Sequence, residues 1–92
     1  MGGKIHTLKT LIDALLVEKL NDKNPKGIVD IEFVVERATY LQEELGLDSL
    51  DVMEVIIECE GIIGVTIPNY MIKDIKTKDD IRELFEKVIK NG

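Results

Sequence analysis

The sequence predicts an all-α fold of three longer helices and one short helix, and three observations support this prediction. Apolar residues recur at helical spacing from Leu8 to Leu20. Asp48–Asp51 combines two strong N-cap residue types with an acid three positions after the first, and an apolar stretch follows. Thr77–Asp80 repeats this capping pattern before the last apolar stretch. We expect one domain over residues 1–92, with helices over about 7–20, 49–61, 68–74 and 78–90.

Composition limits the class of protein. The chain has 92 residues, 45% of them hydrophobic and 4% aromatic, so its modest core is built mainly from Ile, Leu, Val and Met. A net charge of −6 argues against nucleic acid as a partner. A single cysteine cannot form an internal disulfide, and no apolar stretch reaches the length of a membrane span. We expect a cytosolic monomer without a bound metal.

The first predicted helix is followed by the segment whose pattern is least clear. Thr7 is a suitable N-cap, and Asn21–Gly27 ends the helix with turn-forming residues. In Ile28–Tyr40 one set of apolar residues alternates as in a strand, while an overlapping set has helical spacing. Because a single strand would have no partner elsewhere in the chain, we predict no sheet. The helical pattern stays open within the connection over residues 21–40, which joins the first two long helices.

The second long helix carries apolar residues on two faces. We predict that one face lies in the core, and its residues are Val52, Val55, Ile56, Cys59 and Ile63. Burial would make Cys59 a small hydrophobic residue without reactivity. The other face, formed by Leu50, Met53 and Ile57, is interpreted as an exposed patch offered to partners and bordered by Asp51, Glu54 and Glu58. The alternative is a helix that is buried on both sides.

Charge is distributed unevenly along the chain. The segment from Ala38 to Ile72 contains no Lys or Arg, whereas it contains the acids Glu43, Glu44, Asp48, Asp51, Glu54, Glu58 and Glu60. Such a field would steer basic partner surfaces towards this part of the protein. The alternative is a solvated acidic face of the kind that many helices carry.

Ser49 lies at the predicted start of the second long helix. We expect its hydroxyl to be exposed, next to unpaired backbone N–H groups and the positive end of the helix dipole, which is a suitable place for a phosphate ester. The alternative is that Asp48-Ser49 is an ordinary helix cap with no further role.

The residues around Ser49 resemble a known site. Asp48-Ser49-Leu50, with Leu45-Gly46 before it and Glu54 after it, resembles the phosphopantetheine attachment site of acyl carrier proteins. The later landmarks stand at the distances usual in that family, and they are Ile67-Pro68, Ile75 and Thr77. The resemblance covers residues 38–90 well and the first helix loosely.

The resemblance implies a helical bundle with a long loop between its first and second long helices. Its members carry 4′-phosphopantetheine on a serine through a phosphodiester, and that serine would be Ser49. Asp48 and Leu50 would be the recognition neighbours of Ser49. The partner-docking residues would be Asp51, Met53, Glu54, Ile57 and Glu58. The implied partners are a phosphopantetheinyl transferase and acyl-loading and acyl-processing enzymes with basic docking surfaces. By the same resemblance, the core is expected to open and shelter an acyl chain.

The implied function is to carry acyl groups as thioesters in fatty acid, lipid or polyketide-type biosynthesis. Aminoacyl, D-alanyl and peptidyl carriers are alternatives within the same architecture, and a non-carrier helical interaction module is a further one. We do not expect an enzyme, because no Cys/His or Ser/His pairing, metal-ligand cluster or Gly-rich phosphate loop is present in the sequence.

Two stretches depart from the family pattern and suggest a specialised carrier. Gly61 and Gly64 stand where an acidic run is usual, and they are expected to loosen the end of the second long helix. The short helix reads Asn69–Lys73 instead of an acidic sequence, and its apolar residues cannot all face the core. We therefore expect this surface to meet a dedicated partner.

Overall fold

The computed structural model describes residues 8–91, with the backbone alone for Asn91, and Thr7, the expected cap of the first helix, lies outside that range. Every regular element within the range is helical. In chain order the elements are α1 (Leu8–Asp22), α2 (Ile31–Arg37), α3 (Leu41–Leu45), α4 (Ser49–Ile63), a 3₁₀ turn (Asn69–Met71) and α5 (Lys78–Asn91). The predicted all-α fold class is confirmed.

The core forms where α1 packs against α2, α4 and α5. The spacing of the apolar residues of α1 places one stripe inside, consisting of Ile12, Leu15, Leu16 and Leu20. On α4 the predicted core face is confirmed, since Val52, Val55, Ile56 and Cys59 are buried and Ile63 is half-buried. Phe85 of α5 completes this core and is fully buried.

The connection predicted as a long loop contains the two short helices α2 and α3. Of the two patterns left open there, the helical one is realised. Asp30 caps α2 by accepting a hydrogen bond from the N–H of Phe33, and Val35 is then fully buried. Helix α3 ends at Gly46, which has a φ of 75°. That left-handed conformation favours glycine and turns the chain into α4.

One antiparallel bridge joins this connection to the segment before α5. The N–H of Leu41 donates to the carbonyl of Lys76 at 3.0 Å, and the N–H of Lys78 donates to the carbonyl of Thr39 at 3.1 Å. These bonds bring residues 75–76 close to the start of α4.

The end of α4 differs from the prediction. The helix does not stop at Gly61 but continues through it to Ile63. A glycine inside a helix costs only about 0.5–1 kcal/mol, so it weakens the helix without ending it. Gly64 ends it instead, with a φ of 85° and its N–H donating to the carbonyl of Glu60 at 2.8 Å.

The predicted short helix over 68–74 is a single 3₁₀ turn. Its apolar residues divide between core and surface, because Ile72 is buried, Met71 is half-buried and Tyr70 is exposed. Tyr70 and the neighbouring Lys73 therefore both lie on the surface.

Candidate modification site at the start of α4

The side chain of Ser49, the only serine in the chain, is exposed at the first position of α4. Within the described residues its hydroxyl has no hydrogen-bond partner. The N–H groups of Ser49 and Leu50 lie in the first helical turn, where no carbonyl of the helix can accept from them. A hydroxyl and backbone donors thus meet at the positive end of the helix dipole.

A reciprocal capping box fixes the start of α4. The N–H of Asp51 donates to Asp48 Oδ1 at 3.0 Å, and the N–H of Asp48 donates to Asp51 Oδ2 at 3.1 Å. Because each acid satisfies a backbone donor of the other, Ser49 is held between two fixed residues. The capping pattern predicted from the sequence is present.

Asp51 is not part of the exposed docking face, and this corrects the prediction. Asp51 is only 3% exposed, because the capping box directs its carboxylate towards the end of α1. There Lys23 Nζ donates to both carboxylate oxygens at 3.0 Å, and it lies 3.9 Å from Asp48 Oδ2. Burial raises the pKa of Asp51, but the hydrogen bonds from Lys23 and from the Asp48 N–H outweigh it and lower the pKa below its usual value.

The apolar part of the predicted docking face is exposed, as expected. Leu50 is 62% exposed, Met53 38% and Ile57 55%. They stand three and four positions apart on α4 and therefore form one stripe that begins beside Ser49.

The acids beside this stripe have partners of their own on α1. Lys19 Nζ donates to Glu54, and that hydrogen bond raises the pKa of Lys19. A hydrogen bond with Glu18 raises the pKa of Glu58, since two neighbouring carboxylates disfavour a second negative charge. Both Glu54 and Glu58 remain exposed.

Two more acids of the Ala38–Ile72 segment are used as caps. Glu44 accepts the N–H groups of Thr39 and Tyr40 at 2.9 and 2.8 Å, which lowers its pKa. Glu60 accepts the N–H of Ile67. These two carboxylates therefore stabilise turns of the backbone and keep their negative charge, whereas Lys19 and Lys23 offset part of the charge of Glu54 and Asp51.

A groove of about 270 Å³ opens beside Ser49, between α3, the start of α4 and the segment before α5. Apolar side chains of Leu41, Leu47, Val52 and Ile75 contribute to its lining, together with the polar residues Gln42, Glu43, Asp48 and Lys76. Ser49 thus stands at a surface that offers an attached group both apolar and polar contacts.

The described part of the chain contains neither a cluster of metal ligands nor a helix that could span a membrane. Across residues 8–91, no group of three or more His, Cys, Asp or Glu side chains is arranged to hold a metal ion. Over the same range, every helix is too short or too polar to cross a bilayer. Cys59 is buried as predicted, and burial raises the pKa of its thiol to about 11.

Comparison with known proteins identifies relatives among curated sequences. No protein-family model matches the chain, and no solved structure matches it. The "Acyl carrier protein" of Porphyromonas gingivalis (strain W83) is 34% identical over 82 residues, which are 89% of this chain and 94% of that protein. That of Aster yellows witches'-broom phytoplasma is 40% identical over 67 residues, 73% of this chain and 88% of that protein.

Two further relatives match over a shorter part. The acyl carrier protein of Phytoplasma australiense is 41% identical over 49 residues, and that of Amoebophilus asiaticus is 40% identical over 47. The matched part of this chain spans 64% and 59% of the length of those two proteins.

The described residues form a small all-α bundle with an exposed serine at the capped start of α4. The matches to the Porphyromonas and Aster yellows proteins cover most of this chain and most of each of those proteins. The chain belongs to the acyl carrier protein family.

The sequence prediction missed two lysines, at and just after the end of α1, that meet α4. Lys19 lies in the last turn of α1 and Lys23 directly after it, and a spacing of four positions places them on one side because the N–H of Lys23 still donates to the carbonyl of Lys19 at 2.8 Å. That spacing is a signal for a basic edge, but it does not tell which acids the edge meets. Glu54 lies 35 positions after Lys19, and Asp51 lies 28 positions after Lys23.

The residues at the start of α4 fit 4′-phosphopantetheine, the group that the family resemblance implies. Attachment needs a hydroxyl that another enzyme can reach, and that of Ser49 is exposed and makes no hydrogen bond to the described residues. The phosphate needs donors, and the first-turn N–H groups supply them. Lys23, which contacts both neighbouring acids, offsets part of their negative charge.

Proposed function

We propose that this protein is an acyl carrier that bears 4′-phosphopantetheine on Ser49. The observation that supports the proposal most strongly is the exposed hydroxyl at the capped start of α4, in a chain of this family. When attached, the group supplies a terminal thiol that holds acyl intermediates as thioesters.

The roles of the chain's own residues follow from the geometry. Ser49 provides the oxygen that takes the phosphodiester. Asp48 and Asp51 hold the helix start through their reciprocal hydrogen bonds, so the hydroxyl stays directed outwards. Leu50 is exposed next to Ser49, and the modifying enzyme would recognise it together with Asp48.

The base that activates Ser49 would come from the phosphopantetheinyl transferase. Acyl-loading and acyl-processing enzymes would bring their own active sites to the thioester, so the carrier itself is not an enzyme in this proposal. The pathways that use such carriers are fatty acid, lipid and polyketide-type biosynthesis. A cytosolic location stays a prediction.

We also propose that the groove beside Ser49 receives the first part of the acyl chain. Its apolar lining includes the buried residues Leu41 and Leu47, so the groove leads from the surface to the core. Nuclear magnetic resonance of the acylated protein should then show shifts at these buried residues. Shifts confined to exposed residues would contradict sheltering of the chain.

The surface at Tyr70 and Lys73 supports the idea of a specialised carrier. Both side chains are exposed beside the 3₁₀ turn, on a segment that is not acidic. Replacing both residues by Glu should weaken handling by the cognate partner enzymes. If every cognate reaction ran unchanged, this surface would have no such role.

The function is tested by loading the protein with coenzyme A carrying an acyl thioester, using a broad-specificity transferase. Intact mass should increase by one acyl-phosphopantetheine, and neutral hydroxylamine should remove only the acyl group, because it cleaves thioesters. Cys59→Ala, the matched control for acylation of the one native thiol, should behave like the parent protein.

The same experiment separates the alternatives. Ser49→Ala should show no gain in mass. A parent protein that gains no mass with several transferases would be a non-carrier helical module. If the arm is added but only aminoacyl-loading enzymes charge it, the protein would be an aminoacyl carrier instead.

A further inference from the structure

The groove beside Ser49 is lined by charged residues of both signs. Its acids are Glu43 and Asp48, and its basic residue is Lys76. A phosphodiester on Ser49 would add a further negative charge to this space, directly next to Asp48 in the chain. Because like charges at short range repel each other, a cation that is free to approach the attached phosphate would stabilise it.

Three lysines lie close enough to the start of α4 to be considered for this role, and two of them are already engaged. Lys23 Nζ donates to both carboxylate oxygens of Asp51 at 3.0 Å. Lys26 Nζ donates to the backbone carbonyl of Glu43. Among the residues that the structure describes, the ammonium group of Lys76 has neither a hydrogen-bond nor an ion-pair partner. Of these three lysines, Lys76 is therefore the one whose charge is available to a phosphate.

The position of Lys76 is suited to this contact. Its backbone N–H donates to Asp80 Oδ2 at 2.9 Å, and its carbonyl accepts the N–H of Leu41 at 3.0 Å. The backbone is thus fixed on both sides, to the capping box of α5 and to the start of α3. The side chain is exposed, and its flexible stem allows the ammonium group to move towards a phosphate in the same groove.

We propose that Lys76 pairs with the phosphodiester of 4′-phosphopantetheine on Ser49 and holds the beginning of the arm against the groove. The proposal rests on the proposed function and adds a positioning residue to it. The ammonium group donates to a phosphate oxygen, and no bond among the described residues has to break for this. With its first part held there, the arm runs along the groove instead of extending into solvent.

The test compares the apo and holo forms of the protein by proton–nitrogen correlation NMR, without any partner enzyme. In the parent protein, addition of the arm should shift the amide signals of Ser49 and Leu50, and also those of the groove walls at Leu41 and Ile75. In Lys76→Gln the shifts at the walls should fall about twofold or more, because an exposed ion pair changes populations by only a few-fold. The shifts at Ser49 should persist, since the phosphate is still attached there.

Two further variants and one change of solvent separate the effect of charge from an effect on structure. Lys76→Arg keeps the positive charge and should behave like the parent protein. Lys73→Gln removes an exposed lysine that does not line this groove, and it should leave the wall shifts unchanged. In the parent protein, about 1 M NaCl should reproduce the effect of Lys76→Gln, because it screens charges beyond about 3 Å. Circular dichroism verifies that each variant retains the fold.

The proposal is overturned if the walls do not shift in the parent protein, or if Lys76→Gln shows the same wall shifts as the parent. It is also overturned if Lys76→Arg behaves like Lys76→Gln, or if NaCl has no effect. Intact mass, measured before the NMR spectra, separates these failures from failure of the proposed function. A parent protein that carries the arm without any dependence on Lys76 contradicts the pairing alone. A parent protein that never gains the arm contradicts the carrier function, and the pairing with it.

Discussion

The starts of α4 and α5 both have a reciprocal capping box, but the first helical residue is exposed in α4 and buried in α5. At α4, Asp48 and Asp51 exchange hydrogen bonds, and at α5, Thr77 and Asp80 do so at 3.0 Å in each direction. The first residue of α4, Ser49, is exposed, whereas the first residue of α5, Lys78, is only 9% exposed.

The difference lies in the partners that each helix start meets. Lys78 Nζ lies 3.0 Å from Asp13 Oδ1 of α1 and also donates to the carbonyls of Val35 and Glu36 at the end of α2. At α4 the lysine is Lys23, which follows α1 and binds Asp51 of the capping box, so the first helical residue stays outside. A capping motif therefore sets where a helix begins, and tertiary contacts decide whether its first residue serves the fold or remains available for modification.

The largest expected effect is on the α5 side of this comparison. Lys78→Ala removes one of the two lysines that pair with Asp13 and a charged donor to the carbonyls of Val35 and Glu36, so the free energy of unfolding should fall by about 3 kcal/mol. Urea unfolding measures this change, and Lys87→Ala, which removes an exposed lysine of the same helix, should cost less than about 0.5 kcal/mol. Equal losses of stability for the two variants would mean that the hydrogen bonds of Lys78 do not stabilise the packing of α2.

Replacing Asp51 of the α4 capping box should have the next largest effect. Asp51→Ala removes the N3 half of the capping box and the hydrogen-bond partner of Lys23, and we expect a loss of about 2 kcal/mol in thermal unfolding experiments. Glu54→Ala is the control from the same face, because it removes only a surface ion pair and should cost below about 1 kcal/mol. If Asp51→Ala were as mild as the control, the capping box would not hold the start of α4.

The two capping acids should also shape the acid sensitivity of the fold. Burial raises the pKa of Asp51 and of Asp80, but hydrogen bonds lower both pKa values below normal, so each ionised carboxylate stabilises the folded state. A lowered folded-state pKa gives stability that is present above the unfolded-state pKa and lost as pH falls, here from about pH 5 downwards. Asp51→Asn and Asp80→Asn should each flatten this decline in unfolding experiments between about pH 5 and 2. An unchanged slope in both variants would rule out this role.

The smallest effect is expected for Lys23→Ala. The side chain of Lys23 is 47% exposed, and Asp51 keeps the N–H of Asp48 as a donor when the lysine is removed. The loss of stability should be smaller than for Asp51→Ala, and the gap between variant and parent protein should narrow as NaCl is added. A loss that exceeds that of Asp51→Ala would show that the lysine, and not the capping box, holds the helix start.

The two capping boxes could be predicted from the sequence because their residues are only three positions apart. The core face of α4 and the exposure of Met53 and Ile57 followed from helical periodicity in the same way. Helix α2 was left ambiguous, since its seven residues are too few for periodicity to separate a helix from a strand.

What sequence reasoning could not supply are contacts between distant residues. Lys78 and Asp13 are 65 positions apart, and Lys23 and Asp51 are 28 apart. Asp51 was predicted at the docking face because its helical position borders the apolar stripe. Its burial depends on the position of the end of α1, which cannot be predicted from the sequence of α4.

The central claim is that the start of α4 presents Ser49 for attachment of 4′-phosphopantetheine. Intact mass after incubation with coenzyme A and a broad-specificity transferase tests it most directly, with Ser49→Ala treated in parallel. We predict a gain of one phosphopantetheine group by the parent protein and none by the variant. An unmodified parent protein, or an equal gain by Ser49→Ala, would contradict the claim.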